Sequence, residues 1–359
     1  NSKDKGCFCK RPIKVNADDE DTKLSELIYR NTPEFATGHV CSVSWDQTKD
    51  VPDELSTEWM PTFEVPATSA DGSEIIIKSI NKAISKNQIS AEDLYQKDND
   101  KVFKALEGLI SGYSEWIKHQ EKNLNNLDDI YIEQAKKNIS FCQSALGRMK
   151  EGLNFLKTNT NSLHAFKLAN EAMQMQFSWK QNPESKDKLI LNWRPFQLGF
   201  FLITLCSVSD RDHEERDTFD LLWFPTGGGK TEAYLLSVAY LLFYLRLSKP
   251  KSDFHHVNVF MRYTLRALTE QQFVRASSMI MACNVLRKNN ETFGSTPFSV
   301  GMWVGDAAIA NKYDDALKSL RDPHSINSPK KISSCPCCKD DLQYKEDYHR
   351  KSVLPHCAN

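Results

Sequence analysis

The stretch Asp220–Leu236, DLLWFPTGGGKTEAYLL, sets three consecutive glycines between a short apolar run and a long apolar segment of helical character. A phosphate chain needs several backbone N–H groups aimed at one point, a helix N-terminus behind them, one ammonium group and one hydroxyl for a metal ion. The segment TGGGKT supplies all four. After Thr226, the residues Gly227, Gly228 and Gly229 let the backbone approach the phosphates with no Cβ in the way. Lys230 is placed to reach the β- and γ-phosphates, and Thr231 to coordinate Mg²⁺. The general pattern of such loops opens with Gly or Ala where this chain has Phe224, a departure that leaves the triplet intact. ATP with Mg²⁺ is the expected cofactor.

Outward from the loop, the texture alternates. A helix expected at 194–208 leads through the charged loop SDRDHEERD to an apolar strand at 221–224, followed by the glycines and a long helix. A strand is expected in HVNVFMRYT (256–264), a helix at 268–287 and a further strand in PFSVGMWVGD (297–306). That order predicts an α/β lobe over 189–328, with a parallel sheet covered by helices on both faces. Upstream, Phe103, Leu106, Ile110, Tyr113 and Ile117 recur at helical steps, as do Ile139, Cys142, Leu146, Met149 and Leu153, and again Leu163, Phe166, Asn170, Met173 and Phe177. Residues 79–188 therefore read as a mostly α-helical accessory domain, and 1–78 as a mixed segment of short strands and loops.

Two further segments resemble nucleic-acid motors. WRPFQLGF, whose Gln197 lies about 33 residues before Lys230, carries Arg194 and Gln197 as in the adenine-reading motif of superfamily 2 helicases and translocases. A Gln amide can give and take a hydrogen bond at once, which suits the edge of adenine. TLRALTEQ (264–271) resembles the strand-gripping motif of the same superfamily, with Thr264, Arg266 and Gln271 as the backbone contacts. This resemblance implies that the 189–328 lobe is a RecA-like P-loop NTPase. Together with ATGHVCSVSW (36–45), AFKLANEAMQMQ (165–176), FPTGGGKTEAYL and MRYTLRALTEQQFVRA, these segments resemble DrmA, the helicase-like ATPase family of the bacterial anti-phage system DISARM. The resemblance implies ATP-driven work on phage DNA with the partner protein DrmB.

The last part of the chain, 329–359, has its own chemistry. CPCC gives a Cys335/Cys338 pair, and Cys357 follows in HC. Tetrahedral zinc takes four soft or imidazole ligands, commonly as two knuckles, so these three thiols predict a structural Zn²⁺ site in a zinc-knuckle insertion. The fourth ligand is open between His356 and a cysteine beyond Asn359, and the DrmA-like pattern favours the latter.

Composition sets limits on all of this. With 46 basic and 47 acidic side chains the formal charge is −1, which excludes bulk attraction to nucleic acid or anionic lipid. Any DNA contact must be a local groove. The longest apolar runs, 196–208 and 233–245, fall short of the roughly 20 residues that span a bilayer, so no membrane association is expected and the cytoplasm is the default compartment. No apolar run ending in Asp-Glu follows Lys230, and no second motor lobe with an arginine finger is visible. The expectation is the N-terminal part of an ATP-hydrolysing superfamily 2 DNA helicase or translocase. The alternative is a nucleotide-gated DNA-binding scaffold that separates no strands.

Overall fold

The computed structural model describes residues 8–11, 19–46, 48–60, 76, 78–79, 89–180, 187–223, 227–249, 256–264, 266–305, 308–322, 324–349 and 351–358, without the side chains of Arg266 and Ala267. They form two compact units, one of residues 1–72 with 113–145 and one of 73–112 with 146–359.

The first unit starts with helix α1 (Glu20–Ile28). Asp19 caps it, its carboxylate accepting from the backbone N–H groups of Asp21 and Thr22, and Glu20 and Asp21 complement the positive end of the helix dipole. The helix buries Leu27 against Tyr131 and Ala135, with Leu124 and Leu127 partly covered beside them. The alternating HVCSVSW segment becomes strand β1 (Ser42–Ser44), which pairs antiparallel with β2 (Ser56–Glu58), Val43 opposite Thr57.

The second unit is built on helices. After β3 (Ile89–Ser90) and α2 (Ala91–Gln96), the long helices α3 (Asn99–Asn123) and α4 (Asp129–Thr158) enter it in part, and α5 (Thr160–Ser178) lies wholly within it. Each of the three helical-period runs read from the sequence falls inside one of α3, α4 and α5. Helices α6 (Pro195–Ser209), α7 (Lys230–Ser248) and α8 (Arg266–Lys288) complete the core. Phe166 of α5, Phe201 of α6 and Tyr240 of α7 meet with ring centroids 5.0 and 5.3 Å apart, and all three are fully buried. Such aromatic pairs add about 0.5–1.5 kcal/mol each beyond their area. Burial pushes the Tyr240 phenol well up, and its hydroxyl is satisfied by Ser162 and Ser209, each at 2.8 Å. Helices α4 and α6 approach so closely that a Cβ on Gly152 would lie 2.2 Å from the Leu202 carbonyl oxygen. Helix α9 (Tyr313–Arg321) and the antiparallel hairpin β5 (Gln343–Asp347) and β6 (Ser352–His356) follow.

The expected α/β RecA-like lobe with its parallel sheet is not what the chain forms. Among the described residues the sheets are three antiparallel pairs, β1–β2, β3–β4 (Asn192–Trp193) and β5–β6. Residues 221–223, 257–263 and 298–304 belong to no ladder, and Trp223, Val257, Phe260 and Trp303 are exposed. Apolar and β-branched runs favour extended backbone, whereas a ladder requires partners brought alongside from far along the chain, and no local pattern records that. Helices α5, α6, α7 and α8 pack on one another instead. Beside α7 and α8 a cavity of about 540 Å³ remains, lined by Val238, Leu242, Phe260, Phe298 and Trp303, with Gln272 Oε1 buried and without a hydrogen-bond partner among the described residues.

Candidate functional site

Position at the glycine loop is set from the α5 side. Trp193 is buried, and its indole N–H donates to Asn170 Oδ1 at 2.8 Å. Gln174 holds the same approach segment, donating to the Leu189 carbonyl at 2.8 Å and accepting from the Leu191 N–H at 2.9 Å. Leaving such buried groups unpaired costs about 1–3 kcal/mol each, so the chain enters Arg194 on a fixed path. Pro195 then opens α6, where its missing N–H and preset φ suit the first helical position.

Arg194 and Gln197 converge on the glycines. Arg194 Nη1 donates to the Gly228 carbonyl at 2.9 Å, and Gln197 Nε2 donates to the Gly229 carbonyl at 2.8 Å. The Gln197 amide oxygen meanwhile accepts from the Arg194 N–H at 2.8 Å, the reach-back that a third-position Gln makes at a helix start. Gln197 is buried, and here its amide braces the loop from behind. The structure thus joins two segments that the sequence showed only as separate motifs, and it shows Gln197 engaged with the loop backbone.

The loop turns through left-handed glycines. Gly227 and Gly229 lie at φ +82° and +89°, a left-handed conformation that glycine enters without strain. A Cβ on Gly229 would stand 2.7 Å from Gln197 Nε2, so the bracing amide itself requires glycine there. Gly229 is the N-cap of α7 and has no side chain to cap the first turn, where the positive end of the helix dipole lies. Lys230 and Thr231 open that helix, both half-buried. Thr226 lies outside the described residues. Upstream, Arg148 of α4 grips Asp220 with two parallel bonds of 2.6 and 2.8 Å, anchoring the segment that leads into the loop.

Of the predicted DNA contacts, Thr264 and Gln271 are exposed, and the backbone of Arg266 starts α8. Sequence reading missed the ion pair between Glu232 of α7 and Arg275 of α8. No local pattern announces it, because the partners stand on different helices.

Cys335, Cys338 and Cys357 come together, their ligand atoms all within 4.8 Å of one another, and could hold a metal ion. The tight turn of CPCC is closed by Lys339 at φ +67° and by the Lys339 N–H bonding the Cys335 carbonyl at 3.0 Å, while the β5–β6 hairpin delivers Cys357 just past His356. Burial works against a thiolate at Cys335, yet the N–H groups of Cys338 and Cys337 and the neighbouring thiols hold its thiol below the ordinary value. Cys338 and Cys357 Sγ stand 3.3 Å apart, and tetrahedral zinc with bonds near 2.3 Å sets thiolates about 3.8 Å apart, so a shift of a few tenths of an ångström brings that pair to a zinc-compatible spacing. His356 is not part of the cluster; adjacent residues on a strand face opposite sides.

A second trio, Glu151, Cys206 and His213, has the same closeness but another chemistry. His213 Nδ1 accepts from the Glu215 N–H at 3.1 Å, so its Nε2 carries the hydrogen that meets Glu151 at 3.0 Å. Metal ligation through Nε2 would need the opposite tautomer. Burial pushes the Cys206 thiol up to about 11, which leaves it protonated.

No family model matches the chain. Over 370 residues it is 34% identical to the DISARM protein DrmA of Bacillus paralicheniformis (strain ATCC 9945a / NCIMB 11709 / CD-2), an alignment covering 95% of this chain. The chain is DrmA-like. It spans 32% of that relative's length, so the DrmA-like identity covers nearly all of this chain and about a third of the relative. No helix among the described residues is long and apolar enough to cross a membrane.

Proposed function

We propose that the chain binds ATP with Mg²⁺ at Gly227–Thr231 and serves as part of an ATP-dependent superfamily 2 DNA helicase or translocase in bacterial defence against phage DNA. The observation that carries this reading is the convergence of Arg194 and Gln197 on the carbonyls of Gly228 and Gly229. Two polar side chains from a separate helix start are spent on holding a glycine turn in a left-handed form. That arrangement suits a loop whose N–H groups must already be aligned when a phosphate arrives.

In this reading Lys230 neutralises the β- and γ-phosphates and Thr231 supplies a hydroxyl to Mg²⁺. Adenine reading by Gln197 requires the amide to exchange one of its loop bonds for the base, which links nucleotide arrival to loop release. Cys335, Cys338 and Cys357 hold a structural zinc. DrmB is the partner implied by the DISARM relationship, and the cytoplasm, where phage DNA arrives, is the compartment. A non-motor scaffold is the second reading. Among the described residues the glycine loop stands outside any parallel sheet, and nucleotide-gated binding needs the loop alone. Turnover separates the two: a motor hydrolyses ATP faster when DNA is added to the intact protein, and a scaffold does not.

DNA contact is tested by Arg266→Ala. With a formal charge of −1, binding depends on few residues, and removing one phosphate contact should weaken it for all sequences alike. The slope of log affinity against log salt should fall by about 0.7–0.9, with ATP binding retained. Parental affinity and slope in this variant would exclude the Thr264–Gln271 segment from the DNA interface.

A further inference from the structure

One ion pair joins the glycine loop to the helix that begins at Arg266. Glu232 lies in the first turn of α7, two residues past Lys230, and its carboxylate accepts from Arg275 of α8. Both side chains are sheltered, at 21% and 32% exposed, where a charge pair is screened less than at an open surface. The other carboxylate oxygen of Glu232 lies 3.5 Å from the point where a Cβ on Gly229 would be, so the pair sits against the loop itself.

Arg275 also faces the segment leading to the DNA contacts. Burial raises the Tyr263 phenol, and the nearby Arg275 guanidinium works against that rise. Tyr263 and Thr264 come shortly before Arg266 in sequence, and Arg266 and Arg275 share one helix, nine residues and thus about 13–14 Å apart along its axis. A single guanidinium therefore bonds the helix that follows the glycine loop and acts electrostatically on Tyr263, three residues before Arg266.

We infer that the Glu232–Arg275 pair is the positioning link through which the charge bound at the glycine loop sets the placement of the Arg266 end of α8. The inference rests on the nucleotide and DNA assignments proposed above. A phosphate chain beside Lys230 brings negative charge close to Glu232. It repels that carboxylate and attracts Arg275, so the two placements of Arg275 differ in energy according to whether nucleotide is bound. A differential interaction of this kind is what a ligand needs in order to shift an equilibrium. By reciprocity, DNA that fixes α8 must alter nucleotide affinity by the same factor.

The test uses the intact protein and a fluorescent single-stranded oligonucleotide, titrated with and without saturating ATPγS and Mg²⁺. The wild type should show DNA affinity changed by roughly 5- to 150-fold on nucleotide binding. In Arg275→Ala and in the isosteric Glu232→Gln that ratio should fall toward one while each ligand still binds alone, and Arg275→Lys should restore part of it. A wild-type ratio of one with both ligands bound, or a parental ratio in Arg275→Ala and Glu232→Gln, overturns the link and leaves the two binding assignments standing. A wild type that binds no nucleotide overturns both the link and the function it rests on.

Discussion

Lys230→Ala in the intact protein is expected to lose ATP binding by roughly 30- to 5,000-fold, the equivalent of about 2–5 kcal/mol for removing one partner of a sheltered charge pair. The ammonium is the one group at the start of α7 that can neutralise the outer phosphates while the loop N–H groups hold them. Fold stability should change little, because Lys230 is half-buried and stands at a helix start away from the Phe166–Phe201–Tyr240 core. Equilibrium titration with ATPγS and a melting curve separate the two effects. Parental affinity in the variant would remove the loop from the nucleotide site.

The second large effect belongs to the thiol cluster. Freshly purified intact protein should carry about one zinc per molecule at Cys335, Cys338 and Cys357, and Cys335→Ser with Cys338→Ser should release it. Structural zinc in finger peptides contributes about 10–16 kcal/mol of apparent binding free energy at neutral pH, all of it coupled to local folding. The β5–β6 hairpin offers little to replace that, since its residues are mostly exposed or half-buried. Protease cleavage within 329–359 should therefore accelerate strongly in the double variant and in chelator. Metal analysis finding no zinc, with unchanged protease resistance, would contradict the assignment.

How much of this was legible in the sequence differs by element. The α3–α5 helices were, because apolar residues at three- and four-residue steps mark a buried stripe whatever lies opposite. The glycine turn was also legible, since Gly227 and Gly229 adopt positive φ, and so was the thiol cluster, whose pair sits in one tight turn. The parallel sheet was read wrongly. Val257, Phe260 and Trp303 lie in runs whose composition favours strands, but nothing local specifies a ladder partner, and they join no ladder. The Glu232–Arg275 pair was invisible for the same reason: it exists only once α7 and α8 lie side by side. Gln197 falls between these cases. The sequence offered it as an adenine reader, while its bond to the Gly229 carbonyl depends on the path fixed by Trp193, Asn170 and Gln174.

Whether phosphate binds on the braced glycines can be read directly by hydrogen exchange in the intact protein, comparing the segment 227–236 with and without ATPγS and Mg²⁺. The account predicts slowed exchange at the N–H groups from Gly228 to Glu232, because phosphate oxygens would then hold those donors, with smaller changes at Arg194–Gln197 as the bracing bonds readjust. Unchanged exchange across 227–236 in protein shown to be saturated with nucleotide would place the phosphates elsewhere and contradict the account.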